Sequence, residues 1–240
     1  MDVAGKVVLI TGASAGIGLA TARRFAKDGA KLALVARSAD ILTRLADEFR
    51  GQGSDAVAIP ADLLDPAQVK HAVTETIRHF GHIDILINNA GQAAAGTIAE
   101  LNIADFRQIT DLNVYAPLIA MQAVIPSMRE HGGGVIINIS SMVSKMHIPG
   151  LAAYAATKSA LNMLSETARV ELAADHIRVI SVYPRMTATE FTQRSLGNTE
   201  LRHRQREGAS IPVDTPEFVA EKILFAAVHE PEEQYMTDSQ

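Results

Sequence analysis

Apolar residues along this chain fall into short continuous runs, separated by longer stretches in which they recur every three or four positions. A continuous run suits a strand buried on both faces, and the three-to-four period suits a helix packed along one side. Lys6–Thr11 (KVVLIT) reads as the first strand, followed by a glycine-rich turn over Gly12–Gly18 and a helix from Gly18 to Asp28, stopped at Gly29. The strand Lys31–Ala36, a helix over about Asp40–Arg50 and the strand Ala56–Pro60 follow. Asp65-Pro66 opens the next helix, with Asp as N-cap and Pro at the first helical position, and that helix runs to Phe80. Asp84–Asn88 is a fourth strand, and one long helical pattern spans about Asn102–Arg129. The run Val135–Ile139, a helix over Ala156–Ala174 and the strand Arg178–Tyr183 come next. Ser195–Ile211 is polar and reads as a mobile loop or lid, and Thr215-Pro216-Glu217 caps a last helix to about His229. Strands alternating with helices predict right-handed crossovers and an α/β, doubly wound fold. The expected sheet is parallel, has six to seven strands and carries helices on both faces. No linker or repeat divides residues 1–240, so a single domain is expected.

Composition narrows the partners more than the fold. A net charge of −5 leaves no basic footprint for nucleic acid or an anionic membrane. Cysteine is absent, which excludes disulfides and thiolate metal sites, and the scattered histidines form no HxxxH pair. Each histidine therefore reads as a surface or packing residue. No cationic, apolar leader precedes VVLIT and no apolar run is long enough to span a bilayer, so a cytoplasmic protein is expected.

Candidate chemistry gathers around Ser141–Lys158. Tyr154 and Lys158 stand four apart, on one face of a single helix, one turn from each other. Ser141 sits at the carboxyl end of the strand before them, the end at which ligands bind in open α/β sheets. A phenol, an ammonium and a hydroxyl in one place can move a proton to or from an oxygen. A Tyr–Lys pair at this offset arises on many amphipathic helices, but of the four tyrosines only Tyr154 has one. The pair gains weight from the turn Gly12-Ala13-Ser14-Ala15-Gly16-Ile17-Gly18, placed between the first strand and the first helix. Glycine lets backbone approach a pyrophosphate, and the following helix offers free N–H groups to it. At the end of the second strand stands Arg37, where an acid would bond the ribose 2′-hydroxyl and a guanidinium would pair with a 2′-phosphate. Asp40, the nearest acid, is explained as charge in the first helical turn. NADP(H) is therefore expected rather than NAD(H).

The spacing Thr11-Gly12-xxx-Gly16-Ile17-Gly18 is followed in order by Asn88-Asn89-Ala90-Gly91, Asn113, Ser141 and Tyr154-xxx-Lys158. This set resembles the short-chain dehydrogenase/reductase family, over roughly Lys6 to Thr189. The resemblance implies a Rossmann-like fold and an oxidoreductase acting on a small carbonyl or alcohol. By the same resemblance Asn89, Ala90 and Gly91 line the adenosine side, and Asp62 with Leu63 holds the adenine ring. Pro184 and Thr189 match a segment that binds the nicotinamide carboxamide. Lys158 bonds the nicotinamide ribose, the spacing to Tyr154 selects Ser141 over Ser140, and Asn113 marks a kink holding a proton-relay water. Ala15, by contrast, stands where NADP-preferring relatives often carry Lys or Arg.

In the expected mechanism Tyr154 gives a proton to the substrate oxygen, Lys158 lowers the phenol pKa, and Ser141 orients that oxygen. The competing reading is a catalytically silent NADP-binding sensor or interaction protein on the same fold. The same scaffold used for epimerisation or dehydration is a third. Two departures from the family pattern carry expectations of their own. Arg185 replaces a glycine, which places a positive charge over the cofactor, in the substrate mouth for an acidic ketone, or beside Glu190. The tail, Glu233–Thr237, lacks the Asp-Gly-Gly ending of a seventh strand, so a homodimer through the two long helices is expected beside the family's homotetramer. Met142, Val143, Met146, His147, Met186 and Phe191 give the pocket a largely apolar lining.

Overall fold

The computed structural model describes residues 2–198 and 213–236, so most of the expected polar loop lies outside the described residues. The chain alternates strands and helices from the start: β1 (Val7–Thr11), α1 (Gly16–Lys27), β2 (Lys31–Ala36), α2 (Ala39–Gly51), β3 (Ala56–Pro60) and α3 (Pro66–Phe80). It continues with β4 (Ile85–Asn88), a two-residue β5 (Ala94–Ala95), α4 (Ile103–Thr110), α5 (Ala116–Glu130) and β6 (Gly134–Ile139). Then come α6 (Ala152–Glu171), β7 (Ile177–Tyr183), a two-residue β8 (Leu196–Gly197), α7 (Pro216–His229) and β9 (Glu233–Tyr235).

Seven of the strands form one parallel sheet in the order β3-β2-β1-β4-β6-β7-β9. From β1 the chain first winds toward β3, then returns and winds the other way from β4. A crevice opens where the winding reverses, at the carboxyl ends of β1 and β4. The strands read as continuous apolar runs because both faces are covered. Val8, Ile10, Leu32, Leu34, Ile85 and Ile137 pack on one side with Phe25 of α1, Phe49 of α2 and Ile223 of α7. Val7, Leu9, Ala33, Leu86 and Ile136 pack on the other with Val73 of α3 and Val124 of α5. Helix starts follow their capping residues: Asp65 accepts from Ala67 N at 2.8 Å, Asn102 from Ala104 N at 2.8 Å, and Thr215 from Phe218 N at 3.1 Å.

Three features depart from the expected pattern. The long helix is broken at Asp111–Tyr115 by a π-helical turn between α4 and α5. A π turn inserts one residue and re-aims its side chains, and here it turns Asn113 fully inward. Helix α6 begins at Ala152 rather than Ala156, so Tyr154 lies in its first turn. The seventh strand is present despite its unusual ending: Ser181, Val182 and Tyr183 pair with Glu233, Gln234 and Tyr235.

Side-chain chemistry at that edge takes the place of the missing glycines. The rings of Tyr183 and Tyr235 stack at 4.8 Å, and both phenols donate to one carboxylate, Glu233, at 2.7 and 2.8 Å. Lys145 approaches the same carboxylate at 3.5 Å. These bonds, the Tyr183 phenol first, hold the Glu233 carboxyl below its ordinary pKa. The stabilisation is therefore present above the ordinary carboxylate range and is lost as pH falls through the folded value. Glu233→Ala should cost about 2–3 kcal/mol, the scale of hydrogen bonds to a charged group. Urea denaturation checks this, and the difference between the two proteins should shrink as pH falls from 4.5 downwards.

Candidate active site

The turn after β1 leaves no room for side chains at its glycines. A Cβ on Gly18 would lie 2.2 Å from the Gly12 carbonyl oxygen, and one on Gly12 would lie 2.9 Å from Asn89 Nδ2. Gly12 and Gly16 also take positive φ, at 69° and 55°. The turn is tied to β4 by Thr11, whose Oγ1 accepts from Asn89 N at 2.9 Å and Ala90 N at 3.0 Å. Asn89 Nδ2 in turn donates to the Thr11 carbonyl at 2.9 Å. Helix α1 begins at this cradle with no side chain capping its N–H groups and no acid in its first turn. A bare glycine cradle opening on an uncapped helix N-terminus fits the pyrophosphate of a dinucleotide. Ser14, Ala15 and Ile17 are half-buried around it.

The remaining cofactor candidates border the same crevice. Arg37 is exposed at the carboxyl end of β2, with Asp40 exposed in the first turn of α2. Asp62 follows β3, where its carboxylate accepts from Leu64 N at 3.1 Å beside the buried Leu63. Thr189 reaches back to the glycine turn: a Cβ on Gly16 would be 3.1 Å from its Cγ2. The Pro184 carbonyl accepts from Met142 N at 3.0 Å, joining the end of β7 to the turn after β6. Arg185 has a partner other than the three expected for it. Its guanidinium makes a bidentate pair with buried Asp214, at 3.0 and 2.7 Å, while Glu190 pairs with Arg194. The charge expected in the mouth is thereby neutralised by the segment leading into α7.

At the carboxyl end of β6 the two neighbouring serines face opposite ways. Ser140 is buried and donates to Asn162 Oδ1. Ser141 caps a short 3₁₀ turn, Met142–Lys145, accepting from Val143 N at 3.2 Å, and its hydroxyl lies close enough to the Tyr154 phenol to lower that phenol's pKa. Lys158 lies under the Tyr154 ring, its Nζ 5.9 Å from the ring centroid and 2.7 Å from the Ile139 carbonyl it donates to. Both side chains are almost wholly buried, at 8% and 4% exposure.

That burial works against the lowering expected from Lys158. The structure pushes the Tyr154 phenol up, to about 12, because desolvation outweighs the lowering by the Ser141 hydroxyl. Desolvation likewise pushes Lys158 down, to about 8. The protein alone does not pull the phenol toward neutrality; it keeps it protonated beside an ammonium that is costly to bury.

Asn113 closes the site from the π turn. Its Nδ2 donates to the Gln92 carbonyl at 2.8 Å and to Thr157 Oγ1 at 3.0 Å, and its Oδ1 accepts from Gln92 N at 2.9 Å. Gly91 lies between: a Cβ there would be 3.1 Å from Asn113 Oδ1 and 3.5 Å from Lys158 Nζ. Gln92 and Thr157 escaped the sequence reading, since they meet Asn113 across 21 and 44 residues. Phe191, read only as pocket lining, has its ring centroid 5.7 Å from that of Tyr154. His147 is exposed beside the short turn.

A doubly wound α/β sheet with a glycine cradle at its crevice is the architecture of dinucleotide-binding proteins. Residues 6–199 match the family model described as short chain dehydrogenase, and the chain belongs to the short-chain dehydrogenase/reductase family. It is 34% identical to 2-(R)-hydroxypropyl-CoM dehydrogenase of Xanthobacter autotrophicus, over 92% of this chain and 91% of that protein. Among solved structures, a blue fluorescent protein from a metagenomic library in complex with NADPH matches at 36% identity and a TM-score of 0.84, covering 95% of this chain and 92% of that one. A 3-ketoacyl-(acyl-carrier-protein) reductase from Brucella melitensis, complexed with NADH, matches at 32% and 0.82, covering 94% and 91%. The chain is thus an oxidoreductase of a family whose members use nicotinamide cofactors.

Burial of Lys158 makes a measurable prediction. Its folded pKa lies below the ordinary 10.5, so the cost of burying the ammonium is full below about pH 8 and is relieved as pH rises toward 10.5. That drop corresponds to roughly 3 kcal/mol, less about 1 kcal/mol for the bond to Ile139. Lys158→Met should therefore stabilise the protein by about 2 kcal/mol at pH 7, and by less at pH 9.5. Denaturation midpoints at the two pH values check both the sign and the trend.

Proposed function

We propose that this protein is an NADP(H)-dependent carbonyl reductase or alcohol dehydrogenase. The observation that carries the reading is the meeting of Ser141, Tyr154, Lys158 and Asn113 beside the glycine cradle, with the Ser141 hydroxyl close to the Tyr154 phenol. A nicotinamide cofactor supplies the hydride in reduction and accepts it in oxidation. Gly12, Ser14, Ala15, Gly16, Ile17 and Gly18 hold its pyrophosphate, Asp62, Leu63, Asn89, Ala90 and Gly91 its adenosine side, and Pro184 and Thr189 its nicotinamide end. Ser141 donates to the substrate oxygen and orients it. Tyr154 gives its proton to that oxygen as negative charge develops there. A phenol held protonated by burial suits this reductive direction. Lys158 favours the phenolate left behind and bonds the nicotinamide ribose, and Asn113 holds a water through which the proton is replaced.

The preference for NADP(H) rests on Arg37, exposed at the end of β2 where a 2′-phosphate would lie. We further read the chain as a single cytoplasmic domain; among the described residues no helix is long and apolar enough to cross a membrane. A homodimer or homotetramer agrees with the apolar side chains of Tyr115, Met163 and Val170 left exposed beside and along the long helices.

Tyr154→Phe should lower kcat for carbonyl reduction by a factor of about 10² or more, the scale of general acid–base groups, with little change in NADPH affinity. Steady-state assays over a panel of ketones and aldehydes, with fluorescence titration of NADPH, measure both. Near-normal turnover by the variant would remove Tyr154 from the mechanism. Arg37→Asp should replace a charge-assisted pair by repulsion and reverse nucleotide preference. The readout is the ratio of kcat/KM for NADPH to that for NADH, and an unmodified enzyme already favouring NADH would sink the assignment.

A further inference from the structure

The segment after β7 crosses the mouth of the site as a strap fastened at both ends. It begins at Thr189, against Gly16 of the cofactor cradle, and Thr189 Oγ1 accepts from Phe191 N at 3.3 Å. It ends in a parallel pairing with β5, in which Leu196 N donates to the Ala93 carbonyl at 2.8 Å and Asn198 N to the Ala95 carbonyl at 3.0 Å. Gly197 makes this approach possible: a Cβ there would be 2.2 Å from the Ala95 oxygen. Between the two ends, Gln92 Nε2 donates to the Arg194 carbonyl at 2.7 Å. The Gln92 side chain is itself held by Gln108, at 3.1 Å, and its backbone is the one clamped by Asn113. The strap is thus latched to the groups that surround the proposed chemistry.

What the strap carries over that chemistry is a phenyl ring. Phe191 lies tilted at 54° to the Tyr154 ring and keeps 36% of its surface exposed. An aromatic face left open beside a reacting phenol leaves apolar area in water that a ligand of matching surface would cover. Met142 and Val143 stand part-buried in the turn after Ser141, and Met146 is exposed beside them. Arg185, the cation of this neighbourhood in the sequence, is paired with Asp214.

We propose that Phe191 is a specificity-determining residue, whose ring, held against Tyr154 by a strap latched at Gln92, selects carbonyl substrates bearing a flat apolar group beside the reacting carbon. This deepens the functional reading above and rests on it. The ring covers one face of that group while Ser141 and Tyr154 hold the oxygen. A short aliphatic ketone leaves the ring uncovered and gains nothing from it. Gln92 acts as a positioning residue, because it sets where the strap lies and touches neither reacting atom.

The test compares acetophenone with acetone, using the full-length protein and NADPH. Phe191→Ala should lower kcat/KM for acetophenone at least about tenfold, ~1.4 kcal/mol, and that for acetone by less than about threefold. Phe191→Tyr should restore most of the difference, and Gln92→Ala should shift the same ratio in the same direction by a smaller factor. Calorimetric binding of 1-phenylethanol to the protein loaded with NADPH, an alcohol and a reduced cofactor that cannot exchange a hydride, gives a readout free of turnover and should weaken by a similar factor in Phe191→Ala. Equal losses for both ketones, or unchanged binding of 1-phenylethanol, overturn the assignment of Phe191. Reduction of no carbonyl compound by the unmodified protein overturns the functional reading instead, and the binding measurement then still decides whether Phe191 recognises an apolar ring.

Discussion

Thr11 gives one hydroxyl oxygen to two backbone amides, those of Asn89 and Ala90, and Asn89 returns its side-chain amide to the Thr11 carbonyl. These bonds join the ends of β1 and β4, the two strands at which the sheet reverses its winding. Any parallel sheet of this order leaves a crevice there, but a crevice alone holds nothing. The join brings the glycine turn against Asn89 so closely that Gly12 and Gly18 have no room for a Cβ. At those two positions backbone alone is presented, and the N–H groups of α1 begin there without a capping side chain. The geometry of the cofactor cradle is a consequence of a strand–strand contact.

The catalytic side of the crevice depends on burial in the same way. Tyr154 and Lys158 are held in the first two turns of α6, where water is excluded from both. Exclusion raises the phenol pKa and lowers that of the ammonium, so the protein bears a destabilising charge at its centre. A site of this kind trades stability for a responsive electrostatic environment. A positive charge or developing oxyanion arriving there acts in a dry setting, where its effect on a neighbouring phenol is larger than in water.

Two peripheral segments are fastened by polar contacts where apolar patterning is thin. Glu233, taking two phenols and approached by Lys145, secures an edge strand of three half-buried residues. Arg185 and Asp214 join the end of β7 to the start of α7, on opposite sides of residues 199–212. Both devices bear on the site: Lys145 ends the turn that Ser141 caps, and Arg185 precedes the segment carrying Thr189 and Phe191.

Hydrophobic periodicity by itself determined the strands and most of the helices, because burial on two faces forces a run such as Val7–Thr11 and burial on one forces the period of α3. Glycine spacing and the Tyr154–Lys158 offset likewise announced the cradle and the reacting pair, since both are set within a few residues of chain. The family resemblance marked a kink at Asn113, but periodicity ran through it as one helix, because the π turn there is held by bonds to Gln92 and Thr157 made across the fold. The sequence left the strand number at six to seven, because the residues of the last strand are polar and pair through the open edge that β7 offers. The direction of the Tyr154 pKa and the partner of Arg185 were decided by tertiary structure alone. A local pattern names the groups present, but solvation and charge pairing depend on what the rest of the chain packs around them.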